Sequence, residues 1–247
     1  MAKRYENPDF VPLADLRAEW ARMRTTPVGL VRPLVLFGGW RAMRWPVARF
    51  GRFLAGLTGA RPGQVRAIGF GLCGSFARAC ERAVGQVEAV WPSEDPERTV
   101  EVDVVAVSMG GLVARAAAMR STDFGSVARR RLRIARLFTM ATPHRGAALA
   151  KRIALDGCAR DMRPGSEFLA RLNGAAREYE LICYARLNDW WVGASNAAPP
   201  EEHPIWIDAP PLFSHQVIST DRSIRTDIAR RLRGEEPLGR PSKPPRD

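Results

Sequence analysis

The stretch Val100–Arg115, VEVDVVAVSMGGLVAR, constrains this 247-residue chain more than any other. An apolar run from Val102 to Val107 stops at Ser108. Met109, Gly110 and Gly111 follow, and then a helix-forming run over Leu112–Arg120. A buried strand that passes straight into a helix must bend hard at the junction. The small residues Ala106 and Gly110, two either side of Ser108, leave room for that bend. A strand–serine–helix turn of this kind lifts the hydroxyl clear of the sheet and sets it at the positive end of the helix. A histidine can deprotonate a serine placed there, and the serine can then attack a carbonyl, with the N–H of Met109 facing the oxyanion that forms. The full pattern is G-x-S-x-G. Here it reads Ala106-Val107-Ser108-Met109-Gly110, with alanine as the smallest replacement for the first glycine.

Length and composition narrow the rest. The chain suits one α/β domain, and its 46% hydrophobic content is ample for a packed core. No apolar run reaches the 18 or so residues of a membrane span. The first twenty residues show no apolar leader core, so the expectation is a cytoplasmic protein. Cys73, Cys80, Cys158 and Cys183 have neither CxxC spacing nor paired histidines, which argues against zinc or redox chemistry; no metal or cofactor is expected. The net charge is +12, and only three of the 38 basic residues are lysine. The arginines are spread along nearly the whole chain, with clusters only at 129–133 and 230–233. That distribution reads as arginine on solvated faces, with no specific nucleic-acid partner and weak contact with an anionic membrane surface as a by-product.

Taken in order, the chain alternates strand and helix. Asp9–Arg24 reads as a helix with Phe10, Leu13, Leu16, Trp20 and Met23 on one stripe, in an N-terminal extension over residues 1–30 that packs on the main body. Pro33–Phe37 is a buried strand ending in Gly38-Gly39-Trp40, and a helix follows over Met43–Leu57. Val65–Phe70 is a strand, Phe76–Val90 a helix, and Arg131–Met140 another strand that runs into Ala141-Thr142-Pro143-His144-Arg145-Gly146. Tyr179–Ala185 and Ile205–Ile207 are further strands, and Thr220–Leu232 is a terminal helix. The alternation implies a mostly parallel sheet covered by helices on both faces. The tail over 234–247, rich in proline and glycine, reads as disordered.

The ATPHRG segment resembles the (S/A)TPHRG signature that follows the nucleophile unit in bacterial triacylglycerol lipase-like and PGAP1-like α/β hydrolases. Asp161–Asn173, DMRPGSEFLARLN, is similar to the M-x-PGS-x-FL-x-x-LN stretch of the same group. The resemblance implies an α/β-hydrolase fold over residues 31–233, with 147–173 as a lid or cap insertion. It also implies that the loop after the first strand supplies the second oxyanion donor, here the N–H of Trp40. Gly38 stands where that loop often has histidine, and Ala106 where the elbow has glycine.

This fold orders its triad as Ser, then Asp or Glu, then His. Among the three histidines, His144 comes one strand after the serine, too early for the base, and reads as structural. His203 lies at the wrong end of the strand Ile205–Ile207. His215 follows that strand and is the candidate base. Asp189 follows the strand Tyr179–Ala185 at its carboxyl end, where open α/β sheets build their sites, and it opens a stretch that resembles the family's D-x-x-V acid loop. Asp208 is the alternative. Gly39, Trp190 and Trp191 flank the candidate loops as substrate-contacting residues. The expected activity is a serine carboxylester hydrolase, esterase or lipase, acting on a small acyl ester or a lipid. An acyltransferase or thioesterase with the same triad, or a silent hydrolase-fold binding module, stays open as an alternative.

Overall fold

The computed structural model describes residues 5–120, 130–151, 155–209 and 213–245. Residues 1–4 of the expected extension, 152–154 of the expected cap, 246–247 of the tail and Arg129 lie outside them. Six strands are described: β1 Leu34–Phe37, β2 Val65–Ile68, β3 Val102–Val107, β4 Ile134–Met140, β5 Glu180–Arg186 and β6 Ile205–Ile207. They form one sheet in the order β2-β1-β3-β4-β5-β6, and every pairing is parallel. The helices are α1 Leu16–Thr25, α2 Arg44–Thr58, α3 Phe76–Glu88, α4 Met109–Ala118, α5 Gly157–Asp161, α6 Glu167–Gly174, α7 Ser214–Val217 and α8 Arg222–Leu232.

Both faces of the sheet are buried, and the strand sequences show why. Successive side chains point to opposite faces. Leu34 and Leu36 of β1 pack with Met23 of α1, Leu54 of α2 and Ile228 of α8. Val35 and Phe37 pack with α3 and α4 through Val84 and Leu112. A strand apolar at every position suits a sheet covered on both sides.

Two sequence expectations change. The first helix begins at Leu16, not Asp9, because the Asp15 side chain accepts from the N–H groups of Arg17 and Ala18 and caps the helix there. Phe10 instead makes an isolated antiparallel bridge with Gly239. The tail is the second change. Its described part, 234–245, is not loose: Leu238 is buried, and the carboxylate of Asp227 accepts from the N–H of Leu238 at 2.5 Å and of Gly239 at 3.3 Å. Tyr184 Oη also donates to Asp227, at 2.6 Å. The tail therefore closes over α8 and pairs with the start of the chain.

Most of the described arginines are exposed or half-exposed, as the sequence suggests, and Arg115, Arg186 and Arg233 are buried. Several donate to backbone carbonyls. Arg233 reaches Met23 O, Leu57 O and Thr26 O. Arg145 reaches Ala198 O, Pro199 O and Glu202 O. A guanidinium has five donors and suits carbonyls that loops leave unpaired.

Buried Arg115 of α4 joins the two recognised segments. It donates to His144 Nδ1 at 2.8 Å, to Asn173 Oδ1 at 2.9 Å and to Leu172 O at 2.8 Å. Asn173 in turn donates to His144 O at 2.9 Å. Arginine only donates, so His144 Nδ1 accepts and its proton sits on Nε2, facing Thr139 Oγ1 at 3.2 Å. Burial, and then the charge of Arg115, hold His144 well below the ordinary histidine value. His144 is thus a neutral strut, as the sequence suggests.

Two predictions follow from this packing. Leu238→Ala lowers the unfolding free energy by about 2–3 kcal/mol in urea titration; a loose tail would give no change. For His144 the unfolded chain takes the proton and the folded chain does not, so its contribution is complete above the ordinary value of 6.5 and lost as pH falls below it. Stability of the parent protein therefore drops more steeply than that of His144→Gln, by up to about 1.4 kcal/mol per pH unit, as pH falls below 6.5. Equal slopes in the two proteins would refute the neutral strut.

Candidate active site

Strand order places the site. The chain goes from β1 to β2 on one side and returns to β3 on the other, so the carboxyl ends of β1 and β3 lie side by side at the reversal, where open α/β sheets form a crevice. Phe37, the last residue of β1, is level with Ala106 of β3. The loop that begins at Gly38 and the turn at Ser108 must therefore touch. They do so backbone to backbone: a Cβ on Gly110 would lie 2.5 Å from Gly38 O, and a Cβ on Gly39 would lie 3.3 Å from Ser108 Cβ.

Ser108 has φ 52° and ψ −126°, a strained conformation for a residue with a side chain, costing about 1–3 kcal/mol. Neighbours hold it. Its N–H donates to Met140 O at 2.8 Å, and Thr142 Oγ1 donates to its carbonyl at 2.8 Å. Helix α4 starts at Met109, earlier than the expected Leu112, so the N–H of Met109 opens the helix with no carbonyl a turn before it. Ala106 is fully buried between β1 and β4, and its methyl is accommodated there. At Gly38 a Cβ would come to 3.0 Å from both the Ala42 and Val47 side chains, a close fit that larger residues could enter only if those methyls moved.

Asp189 follows β5 and is buried. Its Oδ1 accepts from the N–H of Trp191 at 3.0 Å and of Val192 at 3.2 Å. Its Oδ2 lies 2.8 Å from His215 Nδ1. A carboxylate only accepts, so Nδ1 carries the proton and Nε2 is left as the acceptor. His215 Nε2 is 3.1 Å from Ser108 Oγ. The imidazole pairs with Asp189 and not with Asp208. The loop carrying His215 is tied to the strand carrying Asp189: Ser214 Oγ donates to Leu187 O at 2.9 Å, and Asn188 donates to Ala209 O at 2.7 Å. Trp191 stacks on the His215 ring at 5.0 Å.

A cavity of about 640 Å³ opens at Ser108 and His215. It runs down between α2 and the sheet to Phe50 and Leu36, and Leu149, Leu155 and Met162 form its other wall. Gly39, Trp40, Trp190 and Trp191 all line it, and Trp190 stands exposed at its rim. Sequence reasoning missed Thr142, whose only clue was its place in the ATPHRG segment. It also missed Asp156, whose partner is Trp40.

No protein-family model matches the sequence, and no curated protein does. Solved structures do. The chain is similar to lipase BlEst2 of Bacillus licheniformis in its propeptide form, with 13% identity and a TM-score of 0.58 over 89% of this chain and 53% of that one. The mature form of the same lipase gives 14% identity and a TM-score of 0.51 over 79% and 90% of the two chains. Phospholipase PlaB from Legionella pneumophila gives 15% identity and a TM-score of 0.46 over 63% and 39%. The chain thus spans about two-fifths of the PlaB structure and about half of the propeptide form. With six parallel strands, helices on both faces and a lipase backbone that follows most of its length, the chain has the α/β-hydrolase fold.

Proposed function

We propose that the chain is a serine carboxylester hydrolase, with Ser108 as nucleophile, His215 as general base and Asp189 as the residue that orients the base. The observation that carries this reading is the continuous line from Ser108 Oγ through both nitrogens of His215 to Asp189 Oδ2, with steps of 3.1 and 2.8 Å. A serine hydroxyl is un-ionised at neutral pH and needs a base in hydrogen-bond reach. Neutral His215 takes its proton at Nε2 as Oγ attacks the ester carbonyl. Asp189 holds the tautomer and stabilises the imidazolium. The N–H groups of Met109 and Trp40 receive the oxyanion charge. His215 then protonates the leaving alcohol, and water repeats the sequence on the acyl-enzyme.

The cavity supports an acyl group as the bound part of the substrate, because its inner walls are aliphatic and aromatic. The segments after the strands also expose Met43, Leu72, Trp190 and Phe213, and Trp45 is exposed in the first turn of α2. An apolar rim of this kind fits esters presented by a lipid or a lipid surface.

Ser108→Ala lowers hydrolysis of p-nitrophenyl esters by about 10⁴-fold or more while the protein stays folded. A fluorophosphonate probe labels Ser108. Turnover that survives the substitution, or a label on another residue, would remove Ser108 from the chemistry. Each acyl methylene accommodated in the cavity raises kcat/KM by up to about fourfold, from ~0.8 kcal/mol of burial, until the space is filled. A competing alcohol added to the assay separates hydrolysis from acyl transfer through the products.

A further inference from the structure

The second oxyanion donor sits on a loop that does little to hold itself. Between the end of β1 and the start of α2 the chain runs Gly38-Gly39-Trp40-Arg41-Ala42-Met43. The first two residues have no side chain, and Arg41 has φ 55°. Inside the loop the N–H of Ala42 donates to Gly39 O at 3.1 Å. The loop's ends are tied outside it, Gly38 N–H to Ile68 O at 3.0 Å and Gly71 N–H to Ala42 O at 3.3 Å; between those ties, the fastening of the Trp40 side chain bears on the direction of its N–H.

That fastening is Asp156. Trp40 Nε1 donates to Asp156 Oδ2 at 2.9 Å. The guanidinium of Arg41 lies over the Trp40 ring at 4.8 Å, with its Nε 3.9 Å from the same carboxylate oxygen. The other oxygen, Oδ1, accepts from the N–H of Ala159 at 2.9 Å and caps α5. Helix α5 is itself docked on the turn after β2. Cys158 N–H donates to Gly74 O at 3.3 Å, and a Cβ on Gly157 would come within 2.7 Å of that oxygen. One carboxylate thus performs two tasks: one oxygen organises the segment over the cavity, and the other holds the loop that carries the oxyanion donor. A hydrogen bond to an ionised acceptor is stronger than one between neutral groups, so this link is stiff enough to direct the indole.

We propose that Asp156 is a positioning residue that aims the Trp40 N–H through the Trp40 indole, so that the oxyanion hole is complete only while the segment beginning at Asp156 is docked. This inference rests on the serine-hydrolase reading above. Oxyanion stabilisation depends on donor geometry: losing one donor costs about 10²–10³ in rate, and a shift near 1 Å can cost about 10². Acylation and deacylation both pass through an oxyanion, so kcat reports the fault whichever step limits.

Two substitutions isolate the link. Asp156→Ser keeps a good helix cap for α5 but is too short to reach the indole. Trp40→Phe keeps the ring and removes its donor. With p-nitrophenyl acetate, whose acyl group is too small to probe the cavity walls, each variant loses about 10- to 100-fold in kcat with KM within about twofold. The double variant is no slower than the slower single one, since both cut the same link. The proposal is overturned by kcat within about twofold of the parent protein in either folded variant, by a change confined to KM, or by losses that multiply in the double variant. If Asp156→Ser does not fold, Trp40→Phe decides alone. Ser108→Ala assayed alongside keeps the two readings apart. Turnover surviving in Ser108→Ala sinks the hydrolase reading. An inactive Ser108→Ala beside a fully active Trp40→Phe sinks only the role of Asp156.

Discussion

The close approach of two backbones at the carboxyl ends of β1 and β3 governs the rest of this structure. Parallel pairing puts Phe37 beside Ala106. Both chains must then leave the sheet within a few ångströms of each other, and side chains would block them. Gly38, Gly39 and Gly110 meet that demand. The contact also brings the loop bearing Trp40 against Ser108. Alanine is tolerated at position 106 because it lies within the ladder, below the crossing, whereas a Cβ on Gly110 would strike the carbonyl of Gly38.

Local strain is concentrated on the same edge. Among the described residues six other than glycine have positive φ; Arg41, Ser108, Ala141, Asn188 and Phe213 each lie in the segment leaving the carboxyl end of a strand, β1, β3, β4, β5 and β6 in turn, and Glu201, ahead of β6, is the exception. Strain of this kind persists only where surrounding structure over-determines it. The supports are visible around three of the five. Thr142 holds the Ser108 carbonyl, Asn188 holds Ala209, and Arg186 and Ser214 link the base loop to the strand carrying Asp189. The proposed catalytic side chains sit on loops, but those loops are braced by buried hydrogen bonds.

A few of the arginines serve the fold in the same way. Arg115, Arg145, Arg186 and Arg233 reach from a helix, a loop, a strand end and a helix end to backbone carbonyls in other segments. A sheet with long connecting segments leaves many carbonyls outside regular ladders, and guanidinium groups can satisfy several at once. Arg115 does this between the two segments that mark the resemblance in the sequence. ATPHRG and the stretch ending in Asn173 are locked together through His144 and Arg115. The pair of motifs is one interlocked unit in space.

The sequence alone determined the features that depend on neighbours in the chain. Largely apolar runs of three to seven residues separated by helical patterns are enough to specify a parallel sheet, and a small-residue bend around Ser108 marks its own turn. Chain order then narrowed the partners to His215 and Asp189, because each follows its own strand at the carboxyl edge. Tertiary structure decided what depends on contacts between distant segments. Asp227 gathers the tail, which composition alone reads as loose, and Asp156 reaches Trp40 across 116 positions. Arg233 ties the end of α8 to the ends of α1 and α2. Those pairings leave no periodic trace, since a buried carboxylate or guanidinium finds its partner through the folded arrangement of elements and not through spacing along the chain.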